Sequence, residues 1–299
     1  MSFHRLKFFL AIPACLVAML ATVQGEEWMR GASVVTSVAG EVLLQEVGGE
    51  SLQLHSIGPL PRTVSGLLKV RTQPNDAVFL KTSNRISIYN EGAGFFAIER
   101  FEQDIATSQD QGKSRMILNF RQGFLAVDNR ELSEDSQMIV ETPLGRISVK
   151  NGWWSMRIAH DDRSHIYDFS IECADGVLRF TALDGDAYTL RNGQCLRGAG
   201  ASSRPSINVA GISEDGSEFF EEFTEMEAAA AALELPAETF LTKMKPIKRT
   251  ENVDAAPAAV SSARTTKRPL VIEYAPQSAP VTPFRAVIRP PSSCQADLF

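Results

Sequence analysis

Between about Ser33 and Gly200 the chain alternates apolar and polar residues with a period of two, and Gly, Asn, Asp and Pro punctuate the alternation. Successive side chains of an extended strand point to opposite faces, so the pattern predicts strands that bury one face and wet the other. Tyr167, Phe169, Ile171 and Cys173 fall on one such face, with Asp168, Ser170 and Glu172 on the other. Leu178, Phe180 and Ala182 form the apolar side of the next predicted strand, and Tyr188 and Leu190 that of the one after it. Asp175-Gly176, Asp184-Gly185 and Asn192-Gly193, which separate these segments, tolerate positive φ and suit hairpin turns. Earlier, Gly48-Gly49 divides 41–47 from 51–57, and Thr82-Ser83-Asn84 divides 77–81 from 85–89. Further strands are predicted at 116–120, 124–127, 137–141, 146–150 and 154–158. So many short segments with no helical period among them predict an all-β sandwich or roll of antiparallel strands.

The period changes after Gly200. Phe219, Phe223, Met226, Ala230 and Leu233 recur at helical spacing, behind Ser217 as a plausible N-cap and Glu218, Glu221 and Glu222 near the positive end of the helix. Pro236 ends this helix and opens a second, short one, so 213–245 reads as an amphipathic helical segment. From Pro246 onward eight of the fifteen prolines fall in the last 54 residues, and 246–299 is expected to be a disordered, Pro-rich, mildly basic tail.

At the other end, Arg5 and Lys7 precede an apolar run from Phe8 to Val23 that closes on Gln24-Gly25. A basic start, a short apolar run and small residues before a polar sequence predict a secretory signal over 1–25, cleaved after Gly25. As a helix the run would span about 24 Å, short of a bilayer's hydrocarbon at roughly 30 Å. The alternative is an uncleaved anchor, in which case the protein is membrane-attached. Cleavage removes two cations and no carboxylate, taking the formal charge from −6 to −8. That acidic balance argues against nucleic acid as a partner. The expected location is the periplasm, the cell envelope or the medium, where disulfides persist.

Several segments of 33–199 carry a family resemblance. Val35-Thr36-Ser37-Val38-Ala39-Gly40-Glu41-Val42 and Gly66-Leu67-Leu68-Lys69-Val70-Arg71-Thr72 look like early strands of the FecR-type domain, a β-rich extracytoplasmic module named after the ferric-citrate regulator. Leu118-Asn119-Phe120-Arg121-Gln122-Gly123-Phe124-Leu125-Ala126-Val127 is similar to its strand, Gly, strand unit, and Val140-Glu141-Thr142-Pro143 to its Thr-Pro turn. Val149-Lys150-Asn151-Gly152-Trp153-Trp154 stands where the family has Val-Arg-Gly-Thr, without that Arg. The resemblance implies a sensing, scaffold or binding module. The founding member's cytoplasmic segment has no counterpart in the seven residues before the apolar run, so anti-sigma activity is not carried over.

Candidate chemistry is sparse. No Gly-x-Ser-x-Gly elbow occurs, Asp184 and Asp186 share a turn, and Gly198-Ala199-Gly200 is too short for a phosphate loop, so no catalytic residue, cofactor or enzyme activity is assigned. His160-Asp161-Asp162-Arg163-Ser164-His165 crowds metal-type ligands, yet it also reads as a polar turn, and no metal site is assigned. Trp153 and Trp154 are adjacent, so one should point inward and the other outward, where it could form a binding surface for a glycan or an envelope protein. Cys173 and Cys195 could form a disulfide if the sheet rolls enough to bring their strands together. The helix from Ser217 either packs on the sheet or captures a partner.

Overall fold

The computed structural model describes residues 28–49, 51–104 and 112–247. The export segment with its cleavage point at Gly25, and the tail beyond Ile247, lie outside them. Among the described residues sixteen strands are hydrogen-bonded into one mixed sheet. The first seven are β1 (Trp28–Arg30), β2 (Ala32–Ala39), β3 (Glu41–Glu46), β4 (Ser51–His55), β5 (Arg62–Ser65), β6 (Leu68–Thr72) and β7 (Ala77–Thr82). Four long strands follow with one short one among them: β8 (Ser87–Asp104), β9 (Ser114–Asp128), β10 (Gln137–Thr142), β11 (Gly145–Asp161) and β12 (Ile166–Ala182). The series continues with β13 (Ala187–Arg191), β14 (Gln194–Gly200), β15 (Ser206–Gly211), helices α1 (Glu214–Ala231) and α2 (Ala237–Leu241), and β16 (Lys245–Pro246).

The all-β class is as the alternation predicts, but β9, β11 and β12 each join two predicted short strands end to end, and β8 extends the predicted 85–89 strand on to Asp104. Asp175-Gly176 is therefore not a hairpin turn: β12 continues through it, with a register shift against β11. Asp184-Gly185 does turn between the paired β12 and β13, whereas Asn192-Gly193 joins β13 to β14, which pair with different halves of β12 and not with each other. At each interior glycine the strand bends and changes neighbours. β9 pairs with β10 before Gly123 and with β11 after it, while β12 pairs with β14 before Gly176 and with β13 after it. Bends of this kind let strands pass from one layer of a folded sheet to the other. Two contacts make glycine necessary there. Gly123 has φ +99° and a Cβ on it would lie 2.6 Å from the Gly94 Cα; Gly176 has φ +94° and its Cβ would lie 2.3 Å from the Asn151 carbonyl oxygen.

The folded sheet encloses one apolar cluster drawn from both layers, with Leu44, Val70, Phe96, Phe120, Ile147, Trp154 and Phe180 among its members. One pairing departs from the antiparallel expectation: β9 and β10 run parallel, from Arg115 opposite Gln137 to Asn119 opposite Glu141. The helix also starts earlier than predicted. Its N-cap is Ser213, whose side chain accepts from the Gly216 N–H at 3.3 Å, and Ser217 lies inside the first turns. Glu214 and Asp215 place carboxylates where the helix dipole favours them. After α2 the chain returns to the amino end of the domain, where β16 pairs with β1 and the Ile247 N–H donates to the Trp28 carbonyl at 3.0 Å. Pro246, the first residue of the predicted tail, thus belongs to the sheet. No helix among the described residues is long and apolar enough to cross a membrane.

Candidate functional site

α1 lies on the outer face of the layer built from β7 and the adjoining halves of β8, β9 and β11. That face carries Phe79, Tyr89, Phe124, Ala126 and Trp153, and the helix covers it with Phe219, Phe223, Met226 and Ala230. The rings interlock: Phe124 meets Phe219 edge-on at 4.6 Å between centroids, and Phe79 lies 5.6 Å from Phe223. Such contacts add to the area burial of each ring. Phe220, not among the stripe residues read from the sequence, is buried as well and meets Trp153 at 4.9 Å. Leu233, assigned to the same stripe, lies past the end of α1 and is exposed.

Polar groups meet the helix at both ends. At its start the Ser213 hydroxyl donates to Glu172 Oε1 at 3.4 Å while accepting from the helix backbone. Glu172, predicted to face water, is buried because α1 covers it; Ser155 donates to its other oxygen at 3.5 Å. Gly216 packs directly over this carboxylate, and a Cβ there would stand 2.4 Å from Oε2. Toward the far end, Glu227 faces Lys81 at 3.7 Å and Arg130 at 3.8 Å, and Arg130 also forks onto Asp128. Burial pushes the Asp128 carboxyl up, but the Arg130 hydrogen bonds outweigh it and hold the group below its ordinary value. Glu227 moves upward, through burial and the nearby Asp128 charge.

A groove of about 650 Å³ opens beside the first half of α1. Trp153 and Phe220 form its apolar wall, Gly193 and Gly211 bring backbone to its rim, and Ser217, Glu221 and Thr224 supply polar groups from the helix. Trp153 Nε1 is shielded from solvent and has no hydrogen-bond acceptor among the described residues. A buried donor without an acceptor costs about 1–3 kcal/mol.

The adjacent tryptophans do point in opposite directions, but neither offers a free ring. Trp154 is wholly buried in the main core, where its Nε1 donates to Asn129 Oδ1 at 3.3 Å. Trp153 is half-buried beneath α1, with the Arg130 guanidinium 4.7 Å above its ring. The expected exposed aromatic surface is thus replaced by a groove that Trp153 helps to line. The predicted disulfide is also corrected. β14 lies directly beside the first half of β12, with Cys195 opposite Glu172 and Cys173 opposite Gln194. Residues directly opposite share a face, so the two thiols leave the sheet on opposite faces, and both are free. In the loop at 160–165, His160 Nδ1 contacts Asp162 at 2.9 Å and its ring lies 4.3 Å from that of Tyr167. Among the described residues no three His, Cys, Asp or Glu side chains are gathered in a metal-binding arrangement.

Trp153 and the helix stripe were legible in the sequence; their meeting was not. The groove depends on Gly193, Gly211 and Thr224 coming together, and no spacing along the chain signals that.

No family model matches the chain, and no curated protein does. Among solved structures, two of those similar to it are crystal structures of a "putative anti-sigma factor" from Parabacteroides distasonis. Each is 10% identical over 48% of this chain, with TM-scores of 0.36 and 0.37. The chain spans 60% and 59% of the length of these two.

Proposed function

We propose that this is an exported, non-enzymatic binding module of the FecR type, a sensing or scaffold element that holds a segment of an envelope protein in the groove beside α1. The observation that carries the reading is the groove itself, an apolar wall of Trp153 and Phe220 beside the polar Ser217, Glu221 and Thr224 of α1. An extended peptide brings apolar side chains for the wall of Trp153 and Phe220, and backbone groups that can bond the polar side chains of α1. A glycan is less well served, because sugar stacking needs an open ring face and Trp153 has Arg130 over its ring. Export rests on the basic and apolar leader and on the FecR-like segments between 33 and 199.

The test uses the full-length mature protein to capture partners from envelope extracts, beside Trp153→Phe, which reduces the apolar wall, and Thr224→Arg, which fills the groove. A partner held by the wild type, weakened by the first variant and lost with the second, supports the reading. Identical capture by all three proteins, with unchanged urea midpoints, removes it. Amino-terminal sequencing of protein from the producing cells is expected to begin at Glu26. An intact Met1 in the membrane fraction would instead make the chain an anchored component of transmembrane signalling.

A further inference from the structure

β15 is the last strand of its layer, with β14 on one side and no strand among the described residues on the other. The Ile212 N–H donates to the Gly193 carbonyl, which fixes the direction of every backbone group along β15. N–H and C=O of one residue point the same way and the direction alternates, so Ser206, Asn208 and Ala210 bond inward to β14. Ile207, Val209 and Gly211 then direct their N–H and C=O groups outward, along the open edge. Natural edge strands are commonly protected by charged residues, proline or bulges. From Ser206 to Gly211 this strand has none of them, and Val209, on the core side of the sheet opposite Leu196, is 44% exposed.

We infer that β15 joins β15 of a second copy of this chain, extending the sheet antiparallel across a two-fold axis at Val209. In that register the outward-facing residues meet only each other: Val209 opposes its own copy, and Ile207 opposes Gly211. Each pair exchanges both backbone bonds, and the exposed Val209 side chains cover one another on the core side. The flanks fit too. Beyond the ends of the strand, the same antiparallel arrangement turns the end bearing Arg204, exposed in the turn before β15, toward the partner's end bearing the exposed Glu214, first residue of α1. An identical strand set the other way round would put Arg204 beside Arg204. Charge thus selects a self-complementary antiparallel dimer of a chain that is otherwise acidic.

Sedimentation equilibrium or light scattering on the full-length mature protein tests this, as mass against concentration. The wild type is expected to reach twice the chain mass. Val209→Pro removes an outward N–H without touching the ladder to β14, and should raise the dimer dissociation constant about tenfold or more. Arg204→Glu should also weaken the dimer, and Arg204→Glu combined with Glu214→Arg should restore it. A wild type monomeric at every concentration overturns the inference. So does a dimer indifferent to Val209→Pro, or a charge exchange that fails to restore what Arg204→Glu loses. These readings do not depend on the groove, whose occupant is followed by capture.

Discussion

Cys195 on β14 turns its side chain to one face of the sheet and Cys173 on β12 turns its own to the other, although the strands are neighbours. Both are therefore expected to be free thiols in the native protein. Burial and the Asp175 charge push the Cys173 thiol up to about 11, and burial raises Cys195 as well. Reaction with alkylating reagents should be slow in the native protein and complete after unfolding without reductant, since the thiolate is the nucleophile. A cross-linked peptide pair containing both residues, found by mass spectrometry, would contradict the register.

The bends carry a second expectation. Gly185, at a hairpin turn, has φ +98° and open space around its Cβ position, whereas Gly176 has φ +94° and backbone in the way. Gly185→Ala should cost about 1–3 kcal/mol, the strain of a side chain in that backbone region. Gly176→Ala bears the same strain and must also displace β11 at Asn151, so its loss should be clearly larger. Urea unfolding of the two variants measures the difference; equal losses would mean that β12 is not bent against β11 as described.

Asp128 and Glu227 should give opposite pH signatures. The depressed Asp128 contributes stability above its ordinary value of 3.8, and that contribution is lost as the pH falls through the lower folded-state value. The raised Glu227 contributes below its ordinary value of 4.5, and its contribution is lost as the pH rises through the higher folded-state value. Asp128→Asn is therefore expected to be less stable than the wild type at about pH 7 and to converge with it in strong acid. Glu227→Gln should be more stable than the wild type at about pH 7 and equal to it near pH 4. Urea midpoints across that range decide; the reverse ordering would refute the assignment of the two carboxyls.

Helix capping separates the two serines. Ser213→Ala removes the acceptor for the Gly216 N–H and the donor to Glu172, and should cost about 1 kcal/mol or somewhat more. Ser217→Ala loses only a hydroxyl that donates to the Ser213 carbonyl from an exposed position, so its effect should stay within about 0.5 kcal/mol. Thermal unfolding followed by circular dichroism would show the contrast, and a larger loss at Ser217 would return the cap to the position the helical spacing first suggests.

That spacing shows how far residues speak for themselves. Strand faces were legible because period two is imposed by the backbone: Phe169, Ile171 and Cys173 are buried together as predicted. Turn chemistry was legible only in part, since Asp-Gly satisfies a positive φ equally in a hairpin at 184–185 and in a bend at 175–176. Strand direction is invisible to alternation, which is why the parallel pairing of β9 with β10 came as a departure. Glu172 was read as a wet residue because nothing in its own segment announces that a helix forty residues later will close over it. The groove inherits the same difficulty, being assembled from β11, β13–β14 and β15–α1 connections and the helix itself.

β1 and β16 meet antiparallel, with Trp28 and Ile247 bonded at the end where the described chain enters and leaves. Tension applied through these two residues would load that short pairing in unzipping geometry, one bond at a time, the weakest way to pull a ladder. β16 would peel away while the long bent strands behind it kept their full complement of bonds. The two-residue strand is in this sense a mechanical fuse, set between whatever pulls on the ends and the folded sheet.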